Sequence, residues 1–484
     1  LYGSIYEDGR IHEQVSGSAV YPTAVRDGYE FLGWFTSEGV QVISASGRLL
    51  SNVSGYTDAD GKWTRTDGVT LYAHWTPIRY EIVLDAGEGA IEGTTVVGSS
   101  VWAEFDSNLL YTNQTGSTTV QPTASLVGHT FNGWTTTKGA LDTLFITADG
   151  ALRANYTATS GDTVYAHYTV NDYEITLNLN AGSDSSANLD TGDVQLTDNK
   201  VYITYGTKNM HNSTGADRET VAPKATRTGY VFVGWATDAN ATTLAQCVIN
   251  ENGALINNST FAEADILYAI WRVDTFVLTI NADEHITSVS VTGDHTTETS
   301  TEGVYNVDFG STVRIVITTA TGYTYVSYTT TPADAVTLNL VNGGYEFTMP
   351  ATNFTLNLNS DNNFIRVNLD INDGDGETKA DAFSYSAVYI GYDSRDIYAN
   401  RTNITTPSGT ALTGNALVPT RDGYNFMGWA DSEDAETGNV INATGTLINS
   451  WTLSAVDGAV TLYAIWEKTN VNYTVEYYLQ NITG

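Results

Sequence analysis

Cysteine is almost missing: Cys247 is the only one in 484 residues, so no intrachain disulfide can form. That leaves a reducing compartment, or an exported protein built without disulfides. Next to Val248 and Ile249, the thiol reads as a small buried hydrophobe rather than a nucleophile. Basic residues are scarce too. The 21 Lys and Arg face 55 Asp and Glu, a net charge of −34. Such a surface repels nucleic acid and anionic lipid headgroups, so neither is expected as a partner. No apolar run approaches the roughly 20 residues of a membrane span. The first residues, Leu1-Tyr2-Gly3-Ser4-Ile5-Tyr6, lack the basic and apolar regions of a signal peptide. Stretches with a helical period of 3.6 longer than about two turns are also missing.

What is present is repetition. The apolar fraction, 41%, suffices for packed cores. The length predicts about three to five domains. Internal repeats are the first thing to seek in such a chain. Arg26-Asp27-Gly28-Tyr29-Glu30-Phe31-Leu32-Gly33-Trp34 returns as Val127-Gly128-His129-Thr130-Phe131-Asn132-Gly133-Trp134. It returns again as Thr228-Gly229-Tyr230-Val231-Phe232-Val233-Gly234-Trp235 and as Asp422-Gly423-Tyr424-Asn425-Phe426-Met427-Gly428-Trp429. The tryptophans at 34, 134, 235 and 429 leave gaps of 100, 101 and 194, and 194 is twice 97. A divergent copy, Thr321-Gly322-Tyr323-Thr324-Tyr325, fills the long gap, and its unit is read as closing with Gly344-Tyr345-Glu346-Phe347-Thr348-Met349-Pro350.

Two further signatures recur. Leu71-Tyr72-Ala73-His74-Trp75, Val164-Tyr165-Ala166-His167-Tyr168, Leu267-Tyr268-Ala269-Ile270-Trp271 and Leu462-Tyr463-Ala464-Ile465-Trp466 alternate as half-buried closing strands. Between them, Ile43-Ser44-Ala45-Ser46-Gly47 matches Ile146-Thr147-Ala148-Asp149-Gly150, Ile249-Asn250-Glu251-Asn252-Gly253 and Ile441-Asn442-Ala443-Thr444-Gly445. Asp-Gly and Asn-Gly there predict a type I′ hairpin turn. Each unit opens with an alternating strand such as Tyr80-Glu81-Ile82-Val83-Leu84, followed by a second strand such as Val101-Trp102-Ala103-Glu104-Phe105. The Tyr, Phe and Trp rings are expected to form the unit's small core. The glycine before each tryptophan is expected to give a bulge or close backbone approach. Linkers such as Pro77-Ile78-Arg79 are short, which favours a stiff array.

These motifs resemble the Listeria–Bacteroides repeat, also called the internalin B-repeat family, over nearly the whole chain. The residues that carry the resemblance are Gly28, Tyr29, Phe31, Trp34 and Trp75; Phe131 and Trp134; Gly229, Tyr230, Phe232, Trp235 and Trp271; and Gly423, Tyr424, Phe426, Trp429 and Trp466. The resemblance implies a mainly β chain, a tandem array of small β-grasp-like modules forming an elongated rod, as in bacterial surface proteins. It implies a spacer or adhesive role and brings no catalytic residues. The repeats here run nearer 100 residues than the typical module. The units read as 1–77, with its opening strand missing, then 78–169, 170–271, the divergent 272–361, and 362–467. Residues 468–484 read as the opening strand of a further repeat.

Catalytic motifs are not found: there is no His-Glu-x-x-His, no phosphate-binding loop and no Cys-x-x-Cys. His74 and His167 stand where sister repeats have Ile270 and Ile465, a packing position. Two acidic loops invite comparison with calcium sites. One is Asp58-Ala59-Asp60-Gly61. The other would use Asp370, Asn372, Asp373, Asp375 and Glu377. Neither matches a full EF-hand loop, and both read first as solvated turns, so no cofactor is expected and weak Ca²⁺ binding is the alternative. Asn-x-Ser/Thr occurs thirteen times, Asn52, Asn113, Asn155 and Asn212 among them, which matters only in a cell that glycosylates it.

The expected function is structural: a non-catalytic repeat region of an extracellular protein at a microbial surface or in a secreted fibre. Its partners would be neighbouring repeats or copies of the same protein. The alternative is an adhesin that binds a host protein or glycan. The ends allow two readings. The chain is a segment of a longer protein, or its last strand, Tyr473 to Leu479, completes the first repeat of another copy.

Overall fold

The computed structural model describes the chain except residues 1–2, 6–10, 14–18, 94–95, 97, 375–378, 454–456, 479 and 481–484, with backbone alone for 3–5, 11–13 and 19–20. Two compact units emerge, Leu1–Ala225 with Phe232–Ile270, and Thr226–Val231 with Trp271–Gly484. Among the described residues the only helical pieces are 3₁₀ turns at Leu141–Thr143, Leu244–Gln246 and Gly414–Leu417. The expected mainly-β class is what the chain adopts.

Repeat 2 shows the plan. The six strands of its main sheet lie in the order Leu110–Tyr111, Ser100–Glu104, Arg79–Asp85, Asp162–Val170, His129–Thr135 and Leu144–Thr147, and Ala90–Glu92 pairs separately with Thr123–Ser125. The two central strands, opening and closing, run parallel, with Ile82 opposite Asp162 and Leu84 opposite Val164. All other pairs are antiparallel. A parallel pair needs a long crossover, and residues 86–161 supply it. Alternation sends Ile82 and Leu84 inward and leaves Glu81 and Val83 in solvent. With Val101, Ala103, Trp134, Ile146 and Val164 they form the core.

Repeat 3 has the same strand order, and repeat 5 adds one strand, Thr406–Ala411, at its edge. Both keep the central parallel pair. Repeat 4 keeps it too, between Thr275–Ala282 and Phe354–Asn362, but splits into a five-stranded and a four-stranded sheet. Its closing strand differs from the one expected. Gly344–Thr348 belongs to the second sheet, paired with Thr312–Thr319, and the chain runs on to Phe354–Asn362. Phe354, Leu356 and Leu358 carry the inward alternation that the aromatic ending supplies elsewhere. In repeat 1 the described strands around Trp34 are three, Gln41–Ser44, Tyr29–Phe35 and Tyr72–Pro77.

The hairpin is present but not as a type I′ turn. Only its glycine has positive φ, at Gly47, Gly150, Gly253 and Gly445. Ser44 N–H donates to Arg48 O and Gly47 N–H to Ser44 O. This is a three-residue loop with a left-handed glycine. The residue before the loop holds it by its side chain: Ser44, Thr147, Asn250 and Asn442 each accept the N–H four residues on. Asp149 and Asn252, expected to supply positive φ, do not adopt it.

The glycine before tryptophan makes the expected bulge. Register shifts between Phe131 and Gly133, and a Cβ on Gly133 would stand 2.4 Å from Ile146 O. The bulge turns the next residue inward. Trp134, Trp235 and Trp429 are fully buried, and each indole N–H donates to a carbonyl twelve residues earlier, on Pro122, Pro223 and Leu417.

Candidate interaction surface: the joints between repeats

The tyrosines of the Gly-Tyr motif do not join the core as expected. They sit at the joints. Each closing strand runs into the next opening strand through a single residue: Ile78, Asn171, Asp274 or Asn363. That residue's N–H donates to the motif glycine: Ile78 to Gly28 O (2.9 Å), Asn171 to Gly128 O (2.9 Å), Asp274 to Gly229 O (3.0 Å) and Asn363 to Gly322 O (2.8 Å). Its carbonyl then accepts an N–H from the end of the following repeat's second strand. The donors are Phe105, Tyr205, Phe309 and Tyr392, at 3.0, 3.0, 2.9 and 2.8 Å.

These hydrogen bonds place an aromatic ring on a bare glycine. An ideal Cβ on Gly28, Gly128, Gly229 or Gly322 would lie 2.3, 2.1, 2.1 or 2.3 Å from a ring atom of Phe105, Tyr205, Phe309 or Tyr392. The four glycines also have φ between 74° and 86°. Both space and backbone therefore demand glycine. The neighbouring ring packs edge-on: Tyr29 on Phe105 (5.3 Å), His129 on Tyr205 (6.0 Å), Tyr230 on Phe309 (5.9 Å), Tyr323 on Tyr392 (5.7 Å). Such pairs are worth about 0.5–1.5 kcal/mol beyond their buried area. Tyr29 also donates to Asp106, and its pKa is raised, first by desolvation of the ring hydroxyl and then by this hydrogen bond. Arg26, Arg227 and Arg421 lie over Tyr29, Tyr230 and Tyr424 at 3.8, 3.9 and 3.9 Å.

The ring donors were missed from the sequence, although they carry a signal. Phe105-Asp106-Ser107, Tyr205-Gly206-Thr207, Phe309-Gly310-Ser311 and Tyr392-Asp393-Ser394 share an aromatic, then Asp or Gly, then Ser or Thr.

The remaining signature residues divide between core and flank. Phe31, Phe131 and Phe426 pack on Trp75, Tyr168 and Trp466 at 5.2, 5.8 and 5.6 Å. Trp466 donates its indole N–H to Ile371 O, clamping the closing strand to the loop after the opening strand. Phe232 meets Trp235 edge-on, and Trp271 lies 5.9 Å from Arg227. Trp34 is only half-buried, unlike its three counterparts.

The acidic loop holds itself. Asp370 accepts the Asn372 N–H, Asp373 accepts the Ala380 N–H, and Lys379 stands 3.8 Å from Asp373. Asp375 and Glu377 lie outside the described residues. Among the described residues no group of three His, Cys, Asp or Glu side chains is placed to hold a metal. Asp58 likewise accepts the N–H groups of Asp60 and Lys62. His74 stacks on Phe35 at 4.1 Å, and Cys247 is buried with Ala236, Ala241 and Ile270, which raises its pKa. Among the described residues no helix is long and apolar enough to cross a membrane.

Comparison with curated proteins yields no match. Among solved structures, the Bacillus anthracis TIE protein is similar over 60% of this chain and 55% of its own, at 10% identity and a TM-score of 0.20. The pilus adhesin SpaC from Lactobacillus rhamnosus GG is similar over 64% of this chain and 49% of its own, at 10% identity and a TM-score of 0.16. The chain thus spans about half the length of each. The family model of the Listeria–Bacteroides repeat domain matches 173–254, within repeat 3, and 390–465, within repeat 5. The family resemblance is thus carried by these two regions of the chain.

Proposed function

We propose that the chain is a non-catalytic structural region of an extracellular surface protein, in which tandem β-grasp-like repeats act as a stalk or as a building block of a filament. The observation that carries the reading is the joint. One linker residue, one glycine and one aromatic ring recur at four successive junctions with the same hydrogen bonds. Chemistry repeated at junctions rather than at one cleft suits a protein whose task is to hold its repeats in fixed succession. The acidic surface, net −34, suits display in solvent. The reading includes no resident cofactor.

The test is deletion of repeat 3, residues 170–271, from the protein displayed on its cell. A stalk keeps its display and any attachment after the loss of one repeat. Attachment lost with this repeat, and not with repeat 2, assigns the function to an adhesive site instead.

A further inference from the structure

We infer that Asn342 is a modification site, a place of spontaneous deamidation at which the peptide nitrogen of Gly343 displaces the side-chain amide and the Arg314 guanidinium assists. The inference goes beyond the proposed function, which needs no covalent change.

The chemistry begins with an Asn-Gly pair. Glycine has no Cβ to shield its own nitrogen, and asparagine is among the thermally labile residues. The Gly343 N–H gives up its proton to a solvent base. The nitrogen then bonds to Cγ of Asn342, the Cγ–Nδ2 bond breaks, and Nδ2 leaves as ammonia with a proton from water. Water opens the cyclic imide at either carbonyl, leaving aspartate or isoaspartate. Water enters, ammonia leaves, and nothing is oxidised or reduced.

The chain has three Asn-Gly pairs, at 132–133, 252–253 and 342–343, and the fold treats them differently. At the first, the Asn132 amide donates to Thr130 O (3.3 Å) and Thr169 Oγ1 (3.1 Å), and Gly133 is buried at the bulge. At the second, the N–H that must react is bound: Gly253 donates to Asn250 O at 2.9 Å. The third is the tip of a hairpin. The last pair of its ladder is Val341 with Gly344, so Asn342 and Gly343 alone lie beyond it. Both are exposed. Among the described residues, neither the Asn342 side chain nor the Gly343 N–H has a hydrogen-bond partner.

Arg314 supplies the second observation. It stands opposite Glu346 in the ladder, with Nη1 3.2 Å from Glu346 Oε1. Its Nη2 donates to Asn342 O. Peptide resonance shares charge between nitrogen and oxygen, so that oxygen takes up charge when the Gly343 nitrogen loses its proton. A guanidinium already bonded there stabilises the nucleophile at the moment it forms. Neither of the other two pairs has a cation on the corresponding carbonyl among the described residues.

The experiment follows the full chain, native in neutral buffer at body temperature, over weeks by peptide mapping in a mass spectrometer. Isoaspartyl methyltransferase marks the isoaspartate. The same chain in denaturing urea gives the rate of each pair without its fold. Folding is expected to slow Asn132 and Asn252 and to leave Asn342 the fastest of the three. Arg314→Gln is expected to slow Asn342 alone, by about tenfold, an effect reduced from that of a buried donor by solvent screening. A hairpin loosened by the substitution would raise the rate, so lost structure does not imitate that result. An Asn342 no faster than the other two in the native chain, or a rate that Arg314→Gln fails to lower, overturns the inference.

Discussion

Gly128 and Tyr205 meet with no room between them: a Cβ on the glycine would stand 2.1 Å from the tyrosine ring. The two residues are 77 positions apart and belong to consecutive repeats. The contact works because Asn171 bonds to both, donating to Gly128 O and accepting from Tyr205 N–H. A ring fixed by its own backbone cannot drift away from the glycine it covers. The joint is therefore a short closed circuit of covalent chain and hydrogen bonds, with little freedom to swivel.

Gly128→Ala and Gly423→Ala should separate space from backbone strain. Both glycines have left-handed φ, so both substitutions incur about 1–2 kcal/mol. Only Gly128→Ala also displaces a ring, since among the described residues nothing lies within 4 Å of a Cβ on Gly423. It should destabilise its repeats by about 1–3 kcal/mol more than Gly423→Ala destabilises repeat 5. Denaturant unfolding of each variant measures the difference, and equal losses would mean the ring yields freely.

The tryptophan core gives a graded prediction. Trp235 is fully buried and donates to Pro223 O. Its replacement by alanine should lose about 3–5 kcal/mol from repeat 3. Trp34 is half-buried, with no parallel strand described beside Tyr72–Pro77. Trp34→Ala should cost roughly half as much, in proportion to the area it buries. Local unfolding read by hydrogen exchange distinguishes the two.

His211 supplies a pH dependence. It is buried, and neither ring nitrogen has a hydrogen-bond partner among the described residues. Burial, with the Arg218 charge second, lowers its pKa from the usual 6.5, while Asp172 acts weakly the other way. The folded state prefers the neutral ring. Stability from this site is therefore complete above pH 6.5 and falls as pH drops toward the lowered value, because the unfolded chain takes up a proton that the folded chain refuses. Repeat 2 has Tyr111 at this register position. His211→Tyr should flatten the thermal midpoint of repeat 3 across that window, while wild type declines.

Calcium should not matter to the fold. Asp370 and Asp373 each already turn one carboxylate oxygen to a backbone N–H group, which holds the turn without a cation. Calorimetry with about 1 mM Ca²⁺ and then with chelator should give one thermal midpoint; a rise of several degrees with calcium would assign a site to the 370–377 loop.

Much of the strand plan was legible because burial imposes a period of two. Ile82 and Leu84, or Ile175 and Leu177, mark an inward face without any knowledge of their partners. The glycine before Trp134 announced its bulge because no other residue tolerates that approach to Ile146 O. The parallel pairing of 79–85 with 162–170 was not legible, since it joins segments about 80 residues apart and leaves no local trace. The hairpin type was misjudged because Asn and Asp tolerate positive φ without requiring it, and at Asp149 and Asn252 the following glycine alone adopts it. The role of Tyr29 and Tyr230 was misplaced for a similar reason. An aromatic beside a glycine looks the same in sequence whether its ring faces its own core or the next repeat.

The ring-over-glycine joint is tested most directly by the proton shifts of the glycines themselves. In ¹³Cα-glycine-labelled protein, the Hα signals of Gly28, Gly128, Gly229 and Gly322 should lie upfield of Gly423, and Tyr205→Ala should return Gly128 alone to the position of Gly423. Five indistinguishable glycines, or a Gly128 signal unmoved by the loss of Tyr205, would contradict the account.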